Sequence, residues 1–326
     1  MSVVTEQQEV LDEIRAADKL FLTTHENPDG DALGSLRAMQ LILEQLGKDS
    51  VMFMARDEFP LPREYGHMPF DDVLLEPPAD LKDRLVVFLD CGNMDRMPVE
   101  FLKSSGARIV NIDHHHDNTR FGDVNLVVSD ASCTAEIVYR LARELGVELS
   151  RPIAEALYIG LVTDTGKFMF ENTTPAAHRM AAELIKAGVQ PQVIHRQLYE
   201  GLPFSRIQLL ARALAKVQRF DGGALTLTHL TRDDFALSDA DESDSEGIVD
   251  HMRQVEGTLV ACLVRELVSA DGRRKVSLRA TDDRVDVSRI ARKFGGGGHR
   301  QAAGFTTDTE LHKVVERLRS EVGAQL

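Results

Sequence analysis

The sequence predicts an α/β fold in two parts: a mostly parallel sheet flanked by helices, followed by a smaller C-terminal α/β domain. At 326 residues, the chain is longer than a single hydrophobic core usually supports. Apolar strand-like runs alternate with helical segments through the first half, which is typical of a parallel sheet with crossover helices. The alternation restarts after a helical stretch at residues 191–219, so we expect a second domain there.

The individual elements follow from hydrophobic periodicity and from the residues that interrupt it. In the first half, the pattern predicts strands at residues 20–24, 50–55, 85–89 and 108–112 and helices at 7–17, 33–46, 134–145, 152–161 and 175–187. In the second half, it predicts strands at 224–230, 258–267 and 275–280, helices at 247–255, 286–294 and 310–322, and a closing strand after residue 304. Open α/β sheets bind ligands at the carboxyl ends of their strands, so polar residues at those ends are candidates for a functional site.

The first predicted strand ends at a loop that carries one imidazole and two carboxylates. These groups belong to His25, Asp29 and Asp31, and a helix follows them. A proline and a glycine mark a turn in the same loop, so the three side chains are expected to point into one concavity. An aspartate at a helix start is most simply a cap. That alternative becomes weaker when a histidine and a second aspartate share the loop.

Polar residues follow three further elements. The strand at residues 85–89 is apolar without alternation, as expected for a strand covered on both faces, and it leads directly into Asp90. A carboxylate at that place is costly unless it is paired or bound to a metal ion. The strand at 108–112 leads into Asp113, His114 and His115, and a predicted helix ends near Asp164. Four element ends that all carry Asp or His are hard to explain by capping alone.

A run of four glycines in the second half precedes His299 and Arg300. Glycine allows the backbone to approach a ligand closely, and successive amide groups can form a nest that binds anions. Glycine-rich segments are often only flexible linkers. The two cationic side chains, together with Arg279 on a predicted strand, favour a second phosphate or nucleotide clamp over a linker.

Composition excludes several classes of protein. A formal net charge of −14 argues against a broad basic face for long duplex nucleic acid, but permits a small anionic ligand that metal ions hold locally. The three cysteines, Cys91, Cys133 and Cys262, are far apart and suggest neither a disulfide framework nor a zinc knuckle. Cys91 is interpreted as a small buried apolar residue. The chain shows no apolar run long enough for a signal region or a membrane span, so we expect a cytoplasmic protein without a membrane partner.

The candidate residues favour a site for hard divalent metal ions. Carboxylate oxygens mixed with imidazole suit Mn²⁺, Mg²⁺, Co²⁺ or Fe²⁺ better than a thiolate zinc site would. The Asp and His residues at the four element ends offer more ligands than one ion needs, so we expect two ions with one aspartate shared between them. Paired metal ions activate water and hold phosphoryl oxygens, which is the arrangement for hydrolysing a phosphate ester.

The motifs, in their order along the chain, resemble the DHH/DHHA1 phosphoesterases. They are His25-Glu26-Asn27-Pro28-Asp29-Gly30-Asp31-Ala32, Asp90, Asp113-His114-His115, Thr163-Asp164-Thr165-Gly166 and the glycine-rich segment Gly295 to Gly304. Within that family they are most similar to the bacterial nanoRNase and pAp phosphatase group. The resemblance implies a DHH catalytic domain at residues 1–190, a helical connector at 191–220 and a DHHA1 substrate-binding domain at 221–326.

The resemblance also implies a role for each site residue. His25 and Asp29 would bind one metal ion, and Asp90 would bridge the two ions. The second ion would be bound by Asp31, His114 and Asp164. His115 would contact the scissile phosphate, and Asp113 would support the loop that carries His115. Arg279, Gly296, Gly297, Gly298 and His299 would hold another phosphate or the terminal nucleotide. His116 is interpreted as a solvated loop histidine.

The implied enzyme is a phosphodiesterase and phosphatase with two divalent metal ions, Mn²⁺ first and Mg²⁺ or Co²⁺ as alternatives. Its substrates would be short single-stranded RNA, hydrolysed to mononucleotides, and 3′-phosphoadenosine 5′-phosphate (pAp). Alternatives are a phosphodiesterase acting on c-di-AMP or pApA, a pyrophosphatase of the same superfamily, and a nucleotide-binding regulatory module with a degenerate site. The sequence does not rank the substrates, and it leaves the oligomeric state open, a homodimer included.

Overall fold

The computed structural model describes residues 3–94, 100–268 and 272–326. The chain divides into two compact units, Met1–Glu200 and Gly201–Leu326. A five-stranded sheet lies in the first unit and a six-stranded sheet in the second. The predicted fold class, a parallel sheet flanked by helices followed by a smaller α/β domain, is confirmed.

The first unit alternates strands with helices. Its strands are β1 (Lys19–Thr23), β2 (Asp49–Met52), β3 (Leu85–Leu89), β4 (Ile109–Asp113) and β5 (Val124–Val127). Its helices are α1 (Val3–Ala16), α2 (Gly30–Gln45), α3 (Glu100–Ser105), α4 (Thr134–Glu144), α5 (Arg151–Asp164), α6 (Pro175–Lys186) and α7 (Pro191–Tyr199).

The sheet of the first unit has the order β2-β1-β3-β4-β5, and every pairing in it is parallel. Strand β2 therefore pairs with β1 on one side, and the next strand along the chain, β3, pairs with β1 on the opposite side. A change of direction of this kind opens a crevice at the carboxyl ends of the two central strands, which is where open α/β sheets bind ligands. His25 follows β1 and Asp90 follows β3, so both residues stand at this crevice.

The central strands separate two apolar cores. Leu20 and Leu22 of β1 enter a core on one face of the sheet, whereas Phe21 enters a second core on the other. Successive side chains of a strand point to opposite faces, so a strand that contributes to both cores must be apolar throughout. This arrangement explains the unbroken apolar run of β3, all five residues of which are buried as predicted.

Helices α2 and α5 approach each other closely. A Cβ atom added at Gly34 of α2 would lie 2.5 Å from the carbonyl oxygen of Ala156 and 2.8 Å from the amide nitrogen of Gly160, both on α5. Only glycine at position 34 allows this separation. The close packing brings the N-terminal turn of α2, which carries Asp31, next to the C-terminal end of α5, which carries Asp164.

The second unit is built around a mixed sheet. Its strands are β6 (Gln218–Phe220), β7 (Leu225–Leu230), β8 (Val260–Glu266), β9 (Arg274–Ala280), β10 (Gly297–Gly298) and β11 (Ala302–Thr307). Its helices are α8 (Phe204–Ala215), α9 (Arg232–Ser238), α10 (Ile248–Arg253), α11 (Val287–Lys293) and α12 (Leu311–Gly323). The strand order is β10-β11-β9-β8-β7-β6, in which β7 and β8 are parallel and the other pairs are antiparallel.

Several short elements differ from the sequence prediction. Strand β5 and helix α9 were not predicted, and residues 218–220 form strand β6 instead of continuing a helix. Two of the four glycines, Gly297 and Gly298, form strand β10, which was not predicted. The three strands among these segments are short or alternate poorly, so pairing with a neighbouring strand determines their conformation more than local periodicity does. Helix α9 is a short helix that begins at a capping box formed by Thr231 and Asp234.

Candidate metal centre

The predicted site residues of the first unit come together at the carboxyl ends of β1, β3 and β4. Three groups of side chains each place one ligand atom from every member within 4.8 Å of the others. These groups are His25 with Asp29 and Asp90, Asp31 with His114 and Asp164, and Asp90 with His114 and His115. Asp90 belongs to two groups and lies between the histidines.

Asp90 presents its two carboxylate oxygens to different histidines. Oδ2 lies 3.7 Å from Nε2 of His25, and Oδ1 lies 3.7 Å from Nε2 of His114. The residue is only 2% exposed and has a left-handed backbone with φ of 58°, a conformation that aspartate tolerates better than most residues. Burial tends to raise the pKa of Asp90, but its interaction with His25 and the charges of the two other histidines outweigh burial, so the pKa is lowered.

His25 is oriented by its own loop. Its Nδ1 lies 2.7 Å from the carbonyl oxygen of Glu26. Because a carbonyl oxygen can only accept, Nδ1 carries the proton in this hydrogen bond, and Nε2 is the nitrogen that faces Asp90. Metal-binding histidines are commonly held in this way. Burial tends to lower the pKa of His25, but the interaction with Asp90 outweighs it and the pKa is raised.

Asp31 is held by the N-terminus of another helix. Its Oδ2 accepts from the backbone amide of Thr134 at 2.6 Å, and its Oδ1 accepts from the amide of Ala135 at 2.9 Å. The first amides of α4 have no partner within the helix, so Asp31 satisfies them across the fold. Burial raises the pKa of Asp31 well above its usual range, and nearby carboxylates, Asp90 first, raise it further.

Asp164 is the last residue of α5 and faces His114 across 3.7 Å. Burial raises its pKa to about 6, and the positive charge of His114 acts against that shift. The pKa values of buried Asp31 and half-buried Asp164 are both raised, first by burial and then by neighbouring carboxylates, which crowd negative charge into the centre. A site of this charge, with carboxylate and imidazole donors, fits hard divalent cations.

Asp29 combines a cap with membership of the cluster. Its Oδ1 accepts from the backbone amides of Asp31 at 3.0 Å and Ala32 at 3.1 Å, so it is the N-cap of α2. The capping alternative is therefore correct for Asp29, but it does not remove the residue from the group with His25 and Asp90. A carboxylate has several lone pairs and can serve both partners.

His115 forms a separate pair with Asp113. Its Nδ1 donates to Oδ1 of Asp113 at 2.7 Å, and this hydrogen bond raises the pKa of His115 to about 9. Asp113 is fully buried, and its Oδ2 accepts from Nδ2 of Asn118 at 2.6 Å. The carboxylate is thus held from both sides and fixes the imidazole. His116 is exposed and Cys91 is buried, both as expected.

The predicted clamp residues lie together on the sheet of the second unit. Arg279 of β9 pairs with Ala302 of β11, and the amide of His299 donates to the carbonyl of Ala302 at 2.8 Å. Gly297 and Gly298 pair with Gly304 and Ala303, and His299 is exposed at the turn that follows. The amides of Gly296 and His299 already donate to backbone carbonyl groups, so in this hairpin they are not part of an anion nest.

Two domain families match the chain. The N-terminal domain of the DHH family matches residues 19–161, and the DHHA1 domain matches residues 235–325. Over 312 residues the chain is 35% identical to the bifunctional oligoribonuclease and PAP phosphatase NrnA of Thermus thermophilus, covering 93% of this chain and 90% of that protein. The chain belongs to the DHH family. The resemblance drawn from the sequence motifs is confirmed.

Further relatives are similar to this chain over most of their length. The protein of the same description from Bacillus subtilis is 28% identical to this chain, with 91% of each covered. Among solved structures, an exopolyphosphatase-related protein from Bacteroides fragilis has a TM-score of 0.88 at 24% identity, covering 98% of this chain and 96% of that chain. At this level of identity, the structural likeness shows a shared fold.

Residues outside the DHH motifs also contact the centre. The hydroxyl of Thr134 donates to Asp90, and Nδ2 of Asn172 donates to Oδ2 of Asp164 at 3.1 Å. Sequence reasoning did not identify either residue. Thr134 begins a helix and Asn172 lies in a loop, positions at which both residue types are common for local reasons. Only the folded structure distinguishes them, because it places their side chains beside the carboxylates of Asp90 and Asp164.

In the part of the chain that the structure describes, no helix combines the length and the apolar character needed to cross a bilayer.

Proposed function

We propose that this chain is a metal-dependent phosphoesterase that hydrolyses short oligoribonucleotides to mononucleotides and removes the 3′-phosphate of pAp. The observation that carries the proposal is Asp90, whose two oxygens face two different histidine-containing groups. A shared carboxylate between two clusters is what a pair of metal ions requires. The relatives described as bifunctional oligoribonuclease and PAP phosphatase support the substrate class.

The two clusters divide the ligands between two ions. We assign His25, Asp29 and Asp90 to one ion and Asp31, His114 and Asp164 to the other, with Asp90 shared. Carboxylate-rich ligands with imidazole suit Mn²⁺ best among the common divalent ions, and Mg²⁺ and Co²⁺ are the alternatives. When bound, such ions supply Lewis-acid activation of water and charge stabilisation at the phosphoryl oxygens.

His115 is the side chain we assign to the substrate phosphate. Its Nδ1 is engaged by Asp113, so Nε2 is the nitrogen left for a ligand. A pKa of about 9 keeps the ring protonated at neutral pH, and a protonated Nε2 donates a charge-assisted hydrogen bond to a phosphate oxygen. Asp113 positions the ring, and Asn118 in turn positions Asp113.

The second unit is assigned to binding another part of the substrate. Arg279 lies beside the turn that carries His299. A Cβ atom added at Gly297 would meet nothing within 4 Å, so a ligand can approach the hairpin backbone there, whereas Gly296 and Gly298 pack against β11 and shape the hairpin. A cationic clamp of this size suits a substrate with few phosphates. An acidic protein can bind such a substrate because only one or two charges need to be neutralised.

The test is hydrolysis by the purified protein with Mn²⁺, measured on pAp, pApA, c-di-AMP, short RNAs and pyrophosphate. We expect phosphate release from pAp and mononucleotides from the short RNAs. Asp90→Asn should abolish both activities. Asp12→Asn, which alters an exposed aspartate on α1, is the matched control and should retain them. Hydrolysis of pyrophosphate alone, or full activity of Asp90→Asn, would contradict the proposal.

A further inference from the structure

The loop after α5 begins and ends at Asp164. Thr165 follows this aspartate directly, and at the far end Nδ2 of Asn172 donates to the backbone oxygen and to Oδ2 of Asp164, each at 3.1 Å. Loop residues 165–172 therefore form a closed segment fixed to one member of the candidate metal centre. A side chain that this segment presents outward has a defined position relative to the centre.

The backbone of the loop is unusual. Gly166, Lys167 and Phe168 are three successive residues in the left-handed region, with φ of 54°, 63° and 63°. A left-handed conformation is unfavourable for lysine and phenylalanine, and such conformations persist only where surrounding contacts hold them. The amide of Lys167 donates to Val162 at 2.8 Å, which contributes to holding this turn.

The side chains of the loop divide into an anchored pair and an exposed pair. The ammonium of Lys167 lies 4.5 Å from the centre of the Tyr199 ring, and Phe168 stacks on His178 at 5.0 Å. The next two residues point outward instead. Met169 is 81% exposed and Phe170 is 55% exposed. Two adjacent large apolar side chains in water lose the free energy that burial would provide. Exposed apolar side chains that lie together are typical of a surface that binds a ligand.

The ring of Phe170 is nevertheless supported. A Cβ atom added at Gly166 would lie 2.5 Å from carbons at the distal edge of this ring, so the ring rests against the glycine. The amide of Phe170 also donates to the carbonyl of Thr165 at 3.0 Å. An exposed aromatic ring is thus held against the second residue after Asp164.

We propose that Phe170 is a stacking platform for the base of the nucleotide whose phosphate lies at the metal centre. This inference rests on the proposed function, which accounts for the phosphate but assigns no group of the first unit to the base. Stacking on an aromatic ring tolerates any base, because every base has a π face. That tolerance suits an enzyme that degrades short RNAs of any sequence. The chain has no tryptophan, so a phenylalanine is a natural residue for this task.

The test compares two substrates that differ only in the base. One is pAp, and the other is its analogue in which hydrogen replaces the adenine. For Phe170→Ala we expect KM for pAp to rise roughly 10- to 100-fold, the range typical of losing one base–aromatic contact, with a smaller change in kcat. The base-free analogue should respond by less than about threefold. Phe170→Tyr should retain a low KM for pAp.

Met169→Ala is the matched variant in the same loop. It removes a more exposed apolar side chain and leaves the ring of Phe170 in place, so its KM for pAp should stay close to that of the unmodified protein. An equal rise in KM for Met169→Ala and Phe170→Ala would indicate a general effect on the loop and would overturn the assignment. So would an equal effect of Phe170→Ala on both substrates.

A binding measurement separates this inference from the proposed function. Calorimetric titration of the Mn²⁺-loaded protein with adenosine 5′-monophosphate and with ribose 5-phosphate needs no turnover. If the unmodified protein hydrolyses nothing but binds the nucleotide more tightly than the sugar phosphate, and Phe170→Ala removes that difference, the stacking platform stands while the enzymatic proposal fails. If hydrolysis occurs and the difference in affinity survives Phe170→Ala, only the platform is wrong.

Discussion

The hydroxyl of Thr134 donates a hydrogen bond of 2.9 Å to Oδ1 of Asp90, while the backbone amide of the same residue donates to Oδ2 of Asp31. One fully buried residue at the start of α4 thus holds two carboxylates of the candidate metal centre. Neither carboxylate is close to Thr134 in sequence. The start of α4 therefore holds both carboxylates in place, and substitution of Thr134 should disturb the centre.

Thr134→Val should weaken metal binding. Valine has nearly the same shape, but it cannot donate to Asp90, which leaves a buried carboxylate oxygen without this partner. Loss of a residue that orients a metal ligand typically costs about 10- to 100-fold in affinity, and we expect a loss of that size for Mn²⁺, measured by calorimetric titration. Thr134→Ser keeps the hydroxyl and should restore most of the affinity. Equal affinities for the two variants would show that the hydroxyl has no such role.

The three adjacent histidines should give three different phenotypes. His114→Ala removes a nitrogen that faces both Asp90 and Asp164, so it should reduce bound Mn²⁺ as well as activity. His115→Ala should keep the metal and lower kcat by about 10²- to 10⁴-fold, as expected when a group that acts on the reacting phosphate is lost.

His116→Ala alters an exposed side chain and serves as the control for this series. It should match the unmodified protein in metal content and turnover. Metal content is best measured by elemental analysis after dialysis, and turnover with pAp. A His115→Ala protein that loses metal as completely as His114→Ala would assign both residues to ligation.

Metal binding should raise the thermal stability of the first unit. Buried carboxylates crowd together in the centre, and cations relieve their repulsion only in the folded chain. Mn²⁺ at 100 times its dissociation constant should stabilise the fold by about 2.7 kcal/mol for each ion bound. Differential scanning calorimetry with and without Mn²⁺ measures this as a rise in Tm. Asp90→Asn should lose most of the rise, and an unchanged Tm for the unmodified protein would count against the metal centre.

Gly34→Ala should destabilise the first unit. The added methyl group would lie 2.5 Å from the carbonyl oxygen of Ala156, so α2 and α5 would have to separate. Overpacking of this kind costs about 1–3 kcal/mol, measurable by urea denaturation. Gly323→Ala is the control, since the added atom meets nothing within 4 Å in α12. That change should be neutral or slightly stabilising, because alanine favours helix. Equal stability of the two variants would mean that the helices tolerate the extra volume.

Much of the candidate centre could be predicted because its residues follow regular elements. An apolar run such as β3 is recognisable from its own residues, and the carboxylate after it stands out because burying a charge is costly. Parallel strands place their carboxyl ends at one edge. For this reason His25, Asp90 and His114 could be grouped without knowing any distance between them.

The supporting contacts could not be predicted in the same way. Thr134 and Asn172 are polar residues at a helix start and in a loop, and nothing local distinguishes them from ordinary caps and turns. Nothing in the sequence around Gly34 shows that this position must be glycine. The requirement comes from the backbone of α5, which lies more than a hundred residues away in the chain and leaves no room for a Cβ atom. The motifs therefore indicate which residues are candidates for binding metal ions, phosphate and substrate. Packing between distant segments specifies how these residues are held, because hydrogen bonds and close contacts depend on distances that exist only after the chain has folded.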